Sequence, residues 1–152
     1  MGKVDPSGGY RKESGLARAV LGPHFWCWSS APDELLRRWS QLELWPEVPE
    51  VLARLRYKGF RIGVVTNCSR ELGLAAIHNV EQHTGRGFRF DAAMTAEDSG
   101  FYKPHRVAYE SILAEMDVGA GDVLFVAGSA GDVQGATDAG MKVVWHNRVG
   151  LA

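Results

Sequence analysis

Apolar residues recur at helical spacing in two consecutive stretches, "SAPDELLRRWSQLEL" at 30–44 and "PEVPEVLARLRYKG" at 46–59. This spacing predicts two helices. Ser30 is the predicted N-cap of the first helix, and Gly59 is the predicted C-terminal stop of the second. The apolar face of the first helix comprises Leu35, Leu36, Trp39 and Leu42. The residues that we expect to point inward in the second helix are Val51, Leu52 and Leu55.

From Phe60 onward the pattern changes to short, almost wholly apolar runs that alternate with helical stretches. The predicted strands are "FRIGVVT", "FDAAMT", "DVLFVAG" and "KVVWH". Helices are predicted over about 69–82, 105–116 and 133–139, and Gly140 ends the last of them. Continuous apolar strands joined by helices indicate an α/β fold whose parallel sheet is covered on both faces. In such sheets ligands bind beyond the carboxyl ends of the strands.

Polar side chains stand at this predicted ligand edge. "VVTNCS" at 64–69 ends an apolar run in Thr66 and Asn67, "GFYKP" at 100–104 places Lys103 in a turn, and "FVAGSAGD" at 125–132 closes on Asp132. Each also has a purely structural interpretation. Thr66 can simply end its strand, Lys103 can be an ordinary turn lysine, and Asp132 can favour a helix N-terminus through the helix dipole.

Composition narrows the class of protein. The 152 residues carry a net charge of −1 with both signs mixed along the chain, which predicts no nucleic-acid and no membrane partner. No run approaches the roughly 20 apolar residues of a membrane span. The chain has two cysteines and lacks the apolar core of a signal peptide at its start, so we predict a cytoplasmic protein. Residues 1–15 are polar and glycine-containing, which is typical of a flexible tail.

Three segments, taken in order, resemble the second, third and fourth motifs of the haloacid dehalogenase (HAD) superfamily: "VVTNCS", "GFYKPHRVAYE" and "VLFVAGSAGDVQGATDAGMKVVWHNR". The resemblance spans about residues 45–148. It is closest to the branch of the L-2-haloacid dehalogenases, in which a phrase like "WPEVPEVLARLRYKGFRIGVVTN" leads into the second motif. It implies a HAD-like, Rossmann-type parallel sheet and hydrolase chemistry.

In that family an aspartate carboxylate attacks the substrate, and water hydrolyses the resulting ester. The resemblance implies that the Thr66 hydroxyl donates to a substrate oxygen and that Asn67 adds an amide donor. Lys103 matches the lysine that keeps the nucleophile ionised and offsets substrate charge. Asp132 matches the second acid of the fourth motif, and Ser129 stands where the dehalogenase branch carries small hydroxyl or amide residues. A small anionic molecule is the implied substrate.

The resemblance makes the cofactor conditional. Magnesium-dependent phosphatases of the family usually carry an acid where this chain has Gly128, so Asp132 is left as a single candidate metal ligand. Mg²⁺ prefers one or two carboxylates together with waters and substrate oxygens. We therefore expect no cofactor if the protein is dehalogenase-like and Mg²⁺ if it is phosphatase-like.

The first family motif, an apolar strand that ends in the nucleophilic aspartate, has no counterpart before Leu16. Asp5 follows only one apolar residue. In the family this strand lies between the strands that here end in Thr66 and Gly128, so its loss leaves a slot in the sheet. The slot can be closed by direct pairing of its two neighbours, by "ARAVLG" or "HFWCW" from this chain, or by another chain, as in a homodimer.

We therefore interpret the sequence as an N-terminally shortened HAD hydrolase with a tail at 1–15, a helical cap remnant at 16–44 and a core domain at 45–152. The leading prediction is a dehalogenase-like hydrolase that acts on a small anionic substrate, inactive if the nucleophile is truly absent. A magnesium-dependent phosphatase and a truncated, non-catalytic binding or assembly domain are the alternatives.

Overall fold

The structure is a computed structural model, and it describes residues 31–150. Within this range helices and strands alternate, which confirms the α/β class. The helices are α1 (Ala31–Arg38), α2 (Val48–Tyr57), α3 (Arg70–Thr84), α4 (Ala96–Ser99), α5 (Arg106–Met116) and α6 (Ala130–Asp138). The strands are β1 (Gly63–Thr66), β2 (Ala92–Thr95), β3 (Leu124–Ala127) and β4 (Lys142–Trp145). Short 3₁₀ turns occupy Trp39–Gln41 and Ala120–Asp122.

The strands pair in parallel, as predicted, but in two separate pairs. β1 runs beside β2 from Gly63 opposite Ala92 to Thr66 opposite Thr95, and β3 runs beside β4 in the same way. Among the described residues β1 and β3 share no ladder. Direct pairing of these two strands is therefore wrong as a way to close the slot. The segments "ARAVLG" and "HFWCW" lie outside the described residues.

Helices α5 and α6 form the centre of the packing. Tyr109 of α5 is completely buried in a cluster with Ala136 and Met141, and the ring of Phe125 from β3 meets the Tyr109 ring edge to face at 5.4 Å. Gly135 permits this approach, because a Cβ atom there would lie 2.7 Å from the Pro104 carbonyl oxygen and 2.8 Å from the Tyr109 ring. α6 is thus held against both α5 and the loop that carries Lys103.

The prediction that the sheet is covered on both faces is wrong for β3 and β4 in the part of the chain that the structure describes. Leu124 and Val126 are 62% and 60% exposed, and Val144 is 45% exposed. Successive side chains of a strand point to opposite faces, so these residues lie opposite the face on which Phe125 packs. α6 covers that inner face, and the outer face remains open within residues 31–150.

Two helices begin the described region, but the first is shorter than predicted, because α1 ends at Arg38 and Leu42 follows the 3₁₀ turn in extended backbone. The leucines of its predicted apolar face are exposed: Leu35 by 53%, Leu36 by 52% and Leu42 by 43%.

The second helix also needs a correction. Val51 is 45% exposed rather than inward, whereas Leu52 and Leu55 are half-buried. The Trp39 indole donates to the Leu72 carbonyl at 2.7 Å, which ties this segment to α3. The predicted N-cap Ser30 and the tail lie outside the described residues, and the domain division at 44/45 stays a prediction. No helix in the described range is long and apolar enough to cross a membrane.

Candidate functional site

The end of β1 is fixed by close packing against α3. Ser69 caps α3, where its side chain accepts a hydrogen bond from the Leu72 N–H at 3.4 Å. Gly73 lies one turn further on, and a Cβ atom there would lie 3.1 Å from the Thr66 methyl and 2.8 Å from the Thr95 methyl. The Thr66 hydroxyl oxygen accepts from the Cys68 N–H at 3.3 Å. Thr66 is therefore held at the carboxyl edge with its hydroxyl proton available to a further acceptor.

Asn67 reaches from this edge to the main chain of Lys103, 36 residues later. Its amide oxygen accepts from the Lys103 N–H at 2.7 Å, and its amide nitrogen donates to the Lys103 carbonyl at 3.0 Å. The sequence predicted an amide donor directed at substrate. In the structure one amide N–H and the amide oxygen are both engaged by Lys103.

The Lys103 ammonium lies against Asp132, in the first turn of α6. The Lys103 Nζ to Asp132 Oδ2 distance is 3.0 Å, and each side chain is only 13% exposed. The ammonium also lies 5.9 Å from the centre of the Phe125 ring. Charge-assisted hydrogen bonds of this kind are stronger than neutral ones, and partial burial reduces their screening by salt.

Tyr109 completes this network, and the sequence interpretation overlooked it. The Tyr109 hydroxyl donates to Asp132 Oδ1 at 2.9 Å, so both carboxylate oxygens of Asp132 accept a hydrogen bond. Burial, together with the hydrogen bond to Asp132 and its negative charge, raises the pKa of the Tyr109 hydroxyl. The hydroxyl therefore remains a donor at neutral pH. Its position six residues after Lys103 on an inward helical face was the available signal, because a buried tyrosine hydroxyl usually finds a partner.

Ser129 and Gly128 stand at the end of β3 without joining this network. Ser129 is the N-cap of α6 but makes no side-chain capping bond, and its carbonyl accepts from the Asp132 N–H at 3.1 Å. A Cβ atom at Gly128 would meet open space. The structure therefore joins Asn67, Lys103 and Asp132 through direct bonds, places Thr66 next to Asn67, and leaves Ser129 three residues from Asp132.

The donor set does not fit a magnesium ion. Asp132 directs one oxygen to the Lys103 ammonium and the other to Tyr109, and Gly128 supplies no second carboxylate. Over residues 31–150 no three or more His, Cys, Asp or Glu side chains are grouped so as to hold a metal. The conditional expectation of Mg²⁺ for a phosphatase stays a prediction. In the same range the carboxylate paired with Lys103 is that of Asp132, and Asp5 lies outside the described residues.

A family model for haloacid dehalogenase-like hydrolases matches residues 9–140. Haloacetate dehalogenase H-2 of Moraxella sp. (strain B) is 32% identical over 126 residues, which cover 83% of this chain and 54% of that protein. The chain therefore belongs to the haloacid dehalogenase-like hydrolases, in the branch of the L-2-haloacid dehalogenases. It spans about half the length of the curated relatives that it matches.

Solved structures agree with this assignment. A crystal structure of an L-2-haloacid dehalogenase matches with a TM-score of 0.71 and 28% identity, over 90% of this chain and 56% of that one. The crystal structure of a HAD phosphatase from Thermococcus onnurineus matches with a TM-score of 0.67 and 27% identity, over 79% and 54% of the two chains. The shared fold therefore accommodates both dehalogenases and phosphatases.

Proposed function

We propose that the chain is a dehalogenase-like hydrolase of short 2-haloacids, with its substrate bound at the carboxyl edge beside Thr66 and Lys103. The observation that carries the proposal is the largely buried Lys103 side chain, whose ammonium pairs with the Asp132 carboxylate while the Asn67 amide holds its main chain. A fixed cation beside a hydroxyl suits a small carboxylate, because the hydroxyl donates to one oxygen and the cation offsets the charge.

The chemistry assigned to this edge has two steps. A carboxylate oxygen attacks the carbon that bears the halogen, the carbon–halogen bond breaks, and halide leaves with the bonding electrons. Water then cleaves the ester, which returns the carboxylate and releases a 2-hydroxy acid and a proton. Asp132 is poorly suited to the attack, because both of its oxygens accept hydrogen bonds. The proposal therefore does not assign the attack to Asp132.

Halide release tests this proposal. Purified protein is incubated with chloroacetate, bromoacetate and each enantiomer of 2-chloropropionate, with and without EDTA. We expect halide release that EDTA leaves unchanged and that Lys103→Met abolishes, whereas the exposed Lys142→Met retains it. If the protein is active, Asp5→Asn shows whether Asp5 supplies the nucleophile. Absence of halide release from every substrate would contradict the proposal.

A phosphatase is the second candidate, and the similar fold of the HAD phosphatase supports it. Under this alternative, phosphate is released from a generic phosphomonoester in the presence of Mg²⁺ and EDTA stops the reaction. The poor fit of the Asp132 region to Mg²⁺ counts against it.

A binding or assembly domain is the non-catalytic candidate, and the missing ladder between β1 and β3 within residues 31–150 favours it. It predicts no turnover in either assay and a mass in solution above that of the monomer, measured by light scattering. A homodimer is the simplest such assembly. A monomer that releases halide or phosphate would exclude this candidate.

A further inference from the structure

The side-chain amide of Asn67 engages the main chain of Lys103 through one N–H and its oxygen. We propose that Asn67 is a positioning residue, whose side-chain amide holds the main chain of Lys103 from both sides and so sets where its ammonium meets Asp132. The catalytic consequence rests on the proposed function, whereas the hold on the main chain is testable without any activity.

The chemistry of the two bonds selects an amide. The Lys103 main chain presents one donor and one acceptor to the same side chain, at 2.7 and 3.0 Å. An asparagine offers a donor and an acceptor on adjacent atoms, whereas an ionised aspartate offers only acceptors. Asparagine therefore fits both bonds, and aspartate would place a carboxylate oxygen against the Lys103 carbonyl.

The loop around Lys103 is also tied by the His105 N–H, which donates to the Tyr102 carbonyl at 2.9 Å, and by the packing of Pro104 against Gly135. Asn67 adds the side-chain bonds to the Lys103 main chain itself. The next residue, Pro104, has no main-chain N–H to contribute. Lysine carries its charge on a flexible four-carbon stem, so the ammonium is defined only when both ends of the side chain are held. Asn67 holds the main-chain end, and Asp132 holds the ammonium at 3.0 Å.

These bonds also link two parts of the fold that have no strand ladder between them. Asn67 follows β1, and Asp132 follows β3, while β1 and β3 belong to different strand pairs in the described range. The polar chain runs from Asn67 through Lys103 and Asp132 to Tyr109 on α5. The position of Lys103 is thus set jointly by both strand pairs.

The Lys103 N–H is the direct reporter of this arrangement. Asn67 is itself exposed, so water competes for its bonds and their strength must be measured. Residue-resolved hydrogen exchange of the Lys103 N–H is compared in the unmodified protein, Asn67→Ala and Asn67→Asp. Labelling of the Lys103 amine with an acylating reagent is followed by mass spectrometry, with the exposed Lys58 and Lys142 as internal references.

Asn79→Ala is the matched control. The Asn79 amide also donates to a distant main-chain carbonyl, that of Leu42 at 2.6 Å, and Asn79 is more buried than Asn67. Asn79→Ala therefore removes a side-chain to main-chain hydrogen bond of the same kind, and it leaves the contacts of Lys103 in place. We expect Asn67→Ala to accelerate both Lys103 exchange and Lys103 labelling by about fivefold or more, the effect of losing one or two hydrogen bonds.

Asn67→Asp separates the two bonds. This variant would keep the acceptor for the Lys103 N–H, so the hydrogen exchange of that N–H should stay closer to that of the unmodified protein. The second carboxylate oxygen would repel the Lys103 carbonyl, so labelling of the Lys103 amine should be faster than in the unmodified protein. Asn79→Ala should leave the exchange rate of the Lys103 N–H unchanged. It should also leave the labelling rate of the Lys103 amine unchanged relative to that of Lys58. If halide release is measurable, Asn67→Ala should lower kcat more than it raises KM.

Three results would overturn the proposal: an unprotected Lys103 N–H in the unmodified protein, unchanged Lys103 rates in Asn67→Ala, or an equal rise in Asn79→Ala, which would indicate general loosening. Failure of the proposed dehalogenase function is seen separately, as absence of halide release. The exchange and labelling rates decide the role of Asn67 in either case.

Discussion

The two parallel strand pairs have similar sequences and different surroundings. In β1–β2, no residue of β2 is exposed, Thr95 is completely buried, and α3 and α5 both pack on the pair. In β3–β4, the side chains alternate, so that Phe125 faces α5 and α6 while Leu124 and Val126 face outward.

This difference teaches that burial of a strand depends on its neighbours. "GVVT" and "LFVA" are both apolar, and both are followed by a helix whose first turn approaches the carboxyl edge. A helix covers one face of a sheet, and the second face needs another element. β1–β2 has such an element on each side, whereas the described residues place α6 on one side of β3–β4.

The largest effect that we expect is in the tight contact of α6. Gly135→Ala inserts a methyl group 2.7 Å from the Pro104 carbonyl oxygen, so urea unfolding should show a loss of about 3 kcal/mol. Gly131→Ala in the same helix meets only the Ser129 hydroxyl, at 3.5 Å, and should be neutral or stabilising by up to about 1 kcal/mol. Equal effects of the two variants would show that α6 does not pack closely on this loop.

The next largest effect is expected from the ion pair between Lys103 and Asp132, which links the two strand pairs. Lys103→Met leaves the Asp132 carboxylate, 13% exposed, with Tyr109 as its remaining side-chain donor, and should cost about 2 kcal/mol of unfolding free energy at pH 7. Lys142→Met removes an exposed lysine and should change stability by less than about 0.5 kcal/mol. A Lys103→Met protein as stable as the Lys142→Met protein would mean that the ion pair contributes nothing.

The third effect concerns Asp98, which lies in α4 directly after β2 and bonds to Thr95 at the end of that strand. Partial burial would raise its pKa, but hydrogen bonds from Thr95 and the Arg70 guanidinium lower it below the ordinary value of 3.8. A lowered folded-state pKa contributes stability that is present above the unfolded value and is lost as the pH falls through the folded value. Asp98→Asn should therefore cost about 1 kcal/mol at pH 7.

This cost should shrink as the pH falls from about 4 through the lowered folded-state pKa of Asp98, because the unmodified protein then loses the stabilisation that the charged carboxylate provides. Urea unfolding at several pH values measures it. A difference between the two proteins that does not vary between pH 7 and pH 3 would show that the charge of Asp98 is not responsible.

The smallest effect is expected on the open face of β3. Leu124→Thr replaces a side chain that is 62% exposed and should change stability by less than about 0.5 kcal/mol. Phe125→Leu, on the covered face of the same strand, should cost about 1 to 2 kcal/mol because it loses packing against Tyr109. A loss above about 2 kcal/mol for Leu124→Thr would mean that another segment covers this face in solution.

Local sequence patterns were sufficient to predict most of the helices and strands. Strand composition and helical periodicity placed the strands and the longer helices, and Gly59 and Gly140 end their helices with φ angles of +83° and +89°, as their positions predicted. The four-residue α4 escaped notice, because its signal is a capping box between Thr95 and Asp98 without an apolar period.

In the candidate site, too, local patterns predicted the residues but not the contacts between them. Thr66, Asn67, Lys103 and Asp132 were recognisable because each follows an apolar run or lies in a turn between elements. The hydrogen bonds among them join residues 29 and 36 positions apart, and the Tyr109 bond to Asp132 spans 23. No periodic pattern encodes such distances.

By itself the sequence determined the α/β class, the family motifs and the positions of the polar residues at strand ends, because these depend on residues that are close together in the chain. Only the tertiary structure decided that Asn67 is engaged by Lys103, that Tyr109 joins Asp132, and that one face of β3–β4 is open within residues 31–150. Those outcomes depend on how distant segments pack, and packing fixes which donor meets which acceptor and which apolar face meets water.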